Sequence, residues 1–178
     1  MTRHIAFLRA INVGGHVVKM DQLRTLFEQL SFADVQTFIA SGNVVFGASR
    51  RTPDKLEQLI EGHLKMALGY EVTTFLRSPA EILDVVRRFP FGDRDVADAQ
   101  TYVLFLKREA LPAERQALRG LTTPLDEFET GSREVYWLRK QAKARAGEPP
   151  PPIERVLKIA ATSRNITTVR KIAAKFCQ

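Results

Sequence analysis

The sequence predicts an α+β protein made of duplicated ferredoxin-like βαββαβ units, with antiparallel sheets and helices on one face of each. Three observations carry that expectation. Short runs rich in Val, Ile, Phe and Thr alternate with stretches whose apolar residues recur at helical spacing. The order β-α-β-β-α-β is complete by Arg77, and it begins again at Thr101. The expected division is residues 1–92, a first unit with a linking helix, and 93–178, a second unit with a C-terminal helix.

Ile5 to Val13 reads as an apolar strand that runs into a glycine turn. Leu23, Leu26, Phe27 and Leu30 then mark one face of a helix. Strands at Val35–Ala40 and Val44–Phe46 flank Ser41-Gly42-Asn43, a hairpin turn. Thr52-Pro53 opens a second helix with Leu56, Leu59, Ile60, Leu64 and Leu68 inward, and Gly69 stops it. Glu71 to Arg77 favours a strand. Ser78-Pro79-Ala80-Glu81 is a capping box that starts a further helix.

In the second half, Thr101–Lys107 is a strand and Pro112–Leu121 a helix. Glu127–Glu129 and Glu134–Leu138 form a hairpin around Thr130-Gly131-Ser132-Arg133. Lys140 to Ala146 favours a helix that Gly147 and the prolines Pro149 to Pro152 interrupt. A short helix at Ile153–Leu157, a strand at Ile159–Thr162 and a helix burying Val169, Ile172, Ala173 and Phe176 complete the order.

Hydrophobic residues make up 44% of the chain and charged residues 26%, a globular rather than a disordered balance. No apolar run approaches the ~18 residues that a membrane span needs. With no signal-peptide pattern at the start and a single Cys, the expectation is a cytoplasmic protein with no membrane partner. The net charge of +7 is unevenly spread. Residues 133–178 hold eleven Lys and Arg against three Glu, a net +8, so the first 132 residues sum to −1. A basic last quarter makes nucleic acid or another phosphate-bearing partner a candidate.

The residues with most chemical content lie at the first turn. In a βαββαβ unit the strand order is 4-1-3-2, which brings the end of the first strand beside the hairpin. That edge would gather Asn12, Gly14, Gly15 and His16 with Ser41, Gly42 and Asn43, and with Arg9 and Lys19 within reach. Backbone N–H groups freed by glycine, neutral donors and cations suit a phosphate or carboxylate. No Walker or dinucleotide spacing is met, so no cofactor is assigned. On this reading, Asn12→Ala with Asn43→Ala abolishes binding and barely changes stability. A secondary basic site is expected at Arg164, Asn165, Arg170 and Lys171, at and after the start of the last helix.

No nucleophile–base pair and no metal-ligand spacing can be read among His4, His16 and His63. Cys177 reads as part of a frayed terminus. The pattern of aromatics that lets RNA-recognition domains stack bases is missing from N-V-V-F at Asn43–Phe46.

R-A-I-N-V-G-G-H-V-V-K-M from Arg9, F-I-A-S-G-N-V-V-F from Phe38 and A-T-S-R-N from Ala161 resemble a bacterial family of uncharacterised proteins, domain-of-unknown-function family 1697. The resemblance covers nearly the whole chain and implies a two-part α+β fold related to duplicated ferredoxin-like units. It brings no established activity, cofactor or catalytic residue. Relatives tend to carry Trp and Asn after the Arg-Asn pair, where this chain has Ile166 and Thr167. Three functional classes follow: binding of a phosphate-bearing ligand at the turn, a small-molecule enzyme with its pocket between the halves, or a protein-interaction module.

Overall fold

A computed structural model describes residues 1–12, 14–39, 42–49, 51–92, 99–140 and 149–178. The expected turn residue Ser41, the acidic connection at 93–98 and the helix expected from Lys140 to Ala146 fall wholly or, for the last, beyond Lys140, outside the described residues. Packing divides the chain into Met1–Ile82 with Lys175–Gln178, and Leu83–Ala174.

The first unit runs β1 (Thr2–Arg9), α1 (Met20–Glu28), β2 (Ala33–Thr37), β3 (Asn43–Ala48), α2 (Pro53–Leu68) and β4 (Thr73–Arg77). Its sheet has the order β2-β3-β1-β4 with antiparallel neighbours, the predicted topology. Alternation sends Ala6, Leu8, Val44, Phe46 and Leu76 to one face, where Leu23 and Phe27 of α1 and Leu56, Ile60 and Leu64 of α2 cover them. Ile5, Phe7, Val45 and Phe75, pointing the other way, are buried as well. The capping box forms: Ser78 N–H donates to Glu81 Oε2 at 2.7 Å, and Glu81 N–H to Ser78 Oγ at 3.2 Å. It opens α3 (Pro79–Arg87).

The second unit repeats the order with β5 (Ala99–Leu106), α4 (Pro112–Arg119), β6 (Asp126–Thr130), β7 (Glu134–Lys140), α5 (Ile153–Leu157), β8 (Ala161–Asn165) and α6 (Ile166–Phe176). Its sheet is β6-β7-β5-β8, the same arrangement. Leu104, Leu106, Val135 and Trp137 pack with Leu118 of α4 and Leu157 of α5.

Strand ends differ from expectation for local reasons. β1 stops at Arg9 rather than Val13 because Ala10 takes a left-handed φ of 63°. Ile39, with φ 60°, turns the chain after β2, which ends at Thr37 instead of Ala40. Lys158 closes α5 with φ 52°, and the last strand lies two to three residues later than Ile159–Thr162. Cys177 is buried, so it does not sit in a frayed end, and burial pushes its thiol pKa up.

Edge strand β4 is closed by side chains. Glu57 and Glu61, one turn apart on α2, accept the N–H groups of Leu76 and Thr74, each at 2.8 Å. In the second unit Glu154 of α5 accepts the N–H of Ala161 on β8 at 3.2 Å. Carboxylates on the second helix thus occupy donors that an edge strand otherwise presents to another chain. Among the described residues, no helix is long and apolar enough to cross a membrane.

Candidate functional site

The turn between β1 and α1 spans Ala10 to Lys19 and is tied down at both ends. Asn12 Oδ1 accepts the N–H of Val18 at 2.7 Å, closing the loop on itself. Tyr70, just after α2, donates its hydroxyl to the carbonyl of Ile11 at 2.8 Å. Ile11 and Val18 are buried in the core, while Gly14, Gly15, His16 and Val17 between them are exposed. Gly14 and Gly15 have φ of 69° and 86°, a left-handed pair that side chains resist, and open space surrounds both. Their N–H groups form no hydrogen bond with a described residue.

His16 lies flat on the Tyr70 ring, with centroids 3.9 Å apart and planes 20° from parallel. Lys19 is exposed in the N-cap position of α1 and makes no side-chain cap. Arg9 ends β1 opposite Thr73, half-buried. The turn therefore presents a stacked His16–Tyr70 pair, an exposed lysine at the N-cap of α1 and two glycine amides without a partner among the described residues.

The predicted neighbour of this turn is where topology put it. Leu8 N–H donates to the carbonyl of Gly42 at 2.8 Å, and a Cβ on Gly42 would stand 2.8 Å from Cγ2 of Ile11. Gly42, with φ 73°, is required by that close approach. Asn43 is fully buried, and its amide donates to the Phe38 carbonyl at 2.9 Å, which fixes the hairpin. The expectation that removing Asn12 and Asn43 spares stability is corrected here. Both side chains hold backbone in place, Asn43 within the protein interior.

The secondary basic group does not form one exposed patch. Arg164 is buried in β8, donating from Nη1 to Thr162 Oγ1 at 2.9 Å and to the Ser163 carbonyl at 2.7 Å. Burial brings its pKa down to about 10, which leaves it charged at neutral pH. Asn165 Oδ1 accepts the N–H of Thr167 at 2.8 Å and caps the start of α6. Arg170 is exposed over the Phe89 ring at 4.9 Å, and Lys171 is exposed beside it.

Two features were missed from sequence. Tyr70 stands 54 positions from its stacking partner His16, so no local pattern links them. Arg77 is the largest fully buried side chain, donating from Nη1 to the Leu76 carbonyl at 2.8 Å. It pairs with Ile5 as Arg164 pairs with Val103, so each final strand carries a buried Arg opposite the same place in its sheet. The sequence trace of this is Leu-Arg-Ser at 76–78 and Ser-Arg-Asn at 163–165, each at a strand-to-helix junction. Among the described residues, no group of three His, Cys, Asp or Glu could hold a metal ion.

Comparison with known proteins adds family and fold. The family model described as "Protein of unknown function (DUF1697)" matches residues 1–136. No curated protein matches the chain. Among solved structures, the conserved bacterial protein SP0830 from Streptococcus pneumoniae is similar, with 24% identity over 97% of each chain and a TM-score of 0.75. At that identity the likeness concerns the fold.

Proposed function

The chain belongs to the family of unknown function DUF1697, and from that premise we propose that it binds a phosphate-bearing ligand, a nucleotide or nucleic acid, at the Ala10–Lys19 turn, in the cytoplasm. The observation that carries this reading is the pair of exposed amides at Gly14 and Gly15, unused by any described residue, on a loop tied at Asn12–Val18 and Ile11–Tyr70. A tethered loop loses little entropy on binding, and successive glycine amides in left-handed conformation favour an anion. Lys19 supplies a cation, and the outer face of His16, backed by Tyr70, offers a flat surface for a base.

The test measures binding of labelled single-stranded RNA and of ATP by fluorescence anisotropy and by competition, at two salt concentrations. The expected result is binding that weakens with salt and is lost in the double variant His16→Ala, Lys19→Ala, whose melting temperature stays near that of the parent. Equal binding by parent and double variant would remove the turn from consideration. A steep salt slope for RNA with weak ATP binding selects nucleic acid, and the reverse selects a nucleotide.

A further inference from the structure

A second group of polar residues lies at the opposite end of β1 from the turn. His4 is 8% exposed, with its ring 5.6 Å from that of Phe46 on the neighbouring strand. Its ring makes no hydrogen bond with any described residue, and among the described residues the enclosed side-chain polar atoms that lack a partner are those of Thr74 and Thr101, so the His4 ring nitrogens open to the surface. The imidazole lines a groove of about 320 Å³ whose other walls are Thr2, Ser49, Arg51 and Thr52. Thr52 is the N-cap of the 16-residue α2 but forms no side-chain cap, and Pro53 follows it without an N–H. The first turn of α2 therefore leaves Asp54 and Lys55 amides without a partner among the described residues.

We propose that this groove is an anion site for a phosphate-sized oxyanion, either free or as the terminal group of a phosphorylated small molecule. Residues that carry three hydroxyls, one guanidinium and one imidazole line the groove, and Thr52 among them is the N-cap of α2, at the positive end of that helix. His4 is the part that no folding argument needs, because a buried aromatic such as Phe would pack on Phe46 without a polar edge to satisfy. Glu81 is the acid whose charge reaches the ring, and its carboxylate is held by the Ser78 N–H at 2.7 Å. Burial outweighs that acid and disfavours the charged ring, so His4 serves mainly as a neutral N–H donor, with Arg51 supplying the positive charge. The groove opens to solvent, and its volume of about 320 Å³ accommodates one phosphate with a small organic group attached.

This site is separate from the turn, and its test leaves the turn intact. The full chain, ¹⁵N-labelled, is titrated with inorganic phosphate and with glycerol 3-phosphate at constant ionic strength held by chloride. Saturable shifts of the His4, Thr52 and Lys55 signals are expected, with tighter binding of the ester if a phosphorylated molecule is the natural occupant. Arg51→Ala, an exposed substitution, should weaken binding by about tenfold or more, the loss of one charge-assisted contact. His4→Phe should weaken it too, while His16→Ala should leave it unchanged. Shifts that chloride reproduces, shifts that never saturate, or an Arg51→Ala variant that binds as well as the parent would each overturn the proposal.

Discussion

Glu57→Ala isolates the device that closes the edge of the first sheet. The carboxylate accepts the buried N–H of Leu76 at 2.8 Å, and Glu57 itself is 8% exposed. Truncation leaves a buried amide without a partner and removes a charge-assisted bond, a loss of about 2–3 kcal/mol. Glu57→Gln keeps an acceptor in place but not the charge, and should cost roughly half as much. Glu154→Ala removes a longer bond, 3.2 Å, from a half-buried carboxylate, so about 1 kcal/mol is expected. Urea unfolding reads the stabilities, and hydrogen exchange reads the protection of the Leu76 amide directly. The one N–H freed on this edge strand, that of Leu76, should also raise the tendency of Glu57→Ala to associate as concentration rises. If Glu57→Ala loses less than about 0.5 kcal/mol with the Leu76 amide still protected, the carboxylate does not hold the edge and the reasoning fails.

Gly14→Ala and Gly15→Ala should each cost about 1–2 kcal/mol through left-handed strain alone, since nothing lies near either Cβ. Gly42→Ala adds a clash at 2.8 Å with Ile11 and should cost visibly more in the same thermal unfolding series. Asn43→Ala should lose about 1–3 kcal/mol by leaving the Phe38 carbonyl without its buried donor, measured by chemical unfolding. For His4, burial lowers the folded-state pKa below its ordinary 6.5, so the unfolded chain takes up the proton first. The contribution of His4 to stability is thus present above about pH 6.5 and is lost as pH falls; His4→Phe should flatten that part of the stability–pH profile.

Periodicity carried the architecture because helices and strands bury their faces at different spacings. The α2 and α5 boundaries matched because Pro53 and Gly69 punctuate the one and the prolines to Pro152 precede the other, and the capping residues Ser78 and Glu81 were legible from their spacing alone. Strand ends were not legible, because they depend on Ala10 and Ile39, non-glycine residues held at positive φ by their surroundings. Site composition was legible as a set of neighbours but not as a set of exposures. Topology put Gly42 against Ile11, yet only the packing of the hairpin turns Asn43 inward. Arg77 and Arg164 became equivalent only once strand register aligned Ile5 with Val103.

That alignment also separates what the fold requires from what the first unit adds. The corresponding connection in the second unit, from β5 to α4, needs five residues, 107–111, whereas β1 to α1 takes ten, 10–19. The shorter loop has no glycine and is fixed by Arg108 and Glu114, which bond each other through two contacts of 2.8 Å. A strand and helix of this unit can therefore be joined without an exposed glycine pair, and the additional length in the first unit is not demanded by topology. Deleting Gly14, Gly15, His16 and Val17 would remove only exposed residues and keep Ile11 and Val18 in the core. The deletion should fold, with circular dichroism and melting temperature close to those of the parent, and should no longer bind RNA or ATP. A variant that fails to fold would make the loop structural, and a variant that folds and still binds would place the ligand elsewhere.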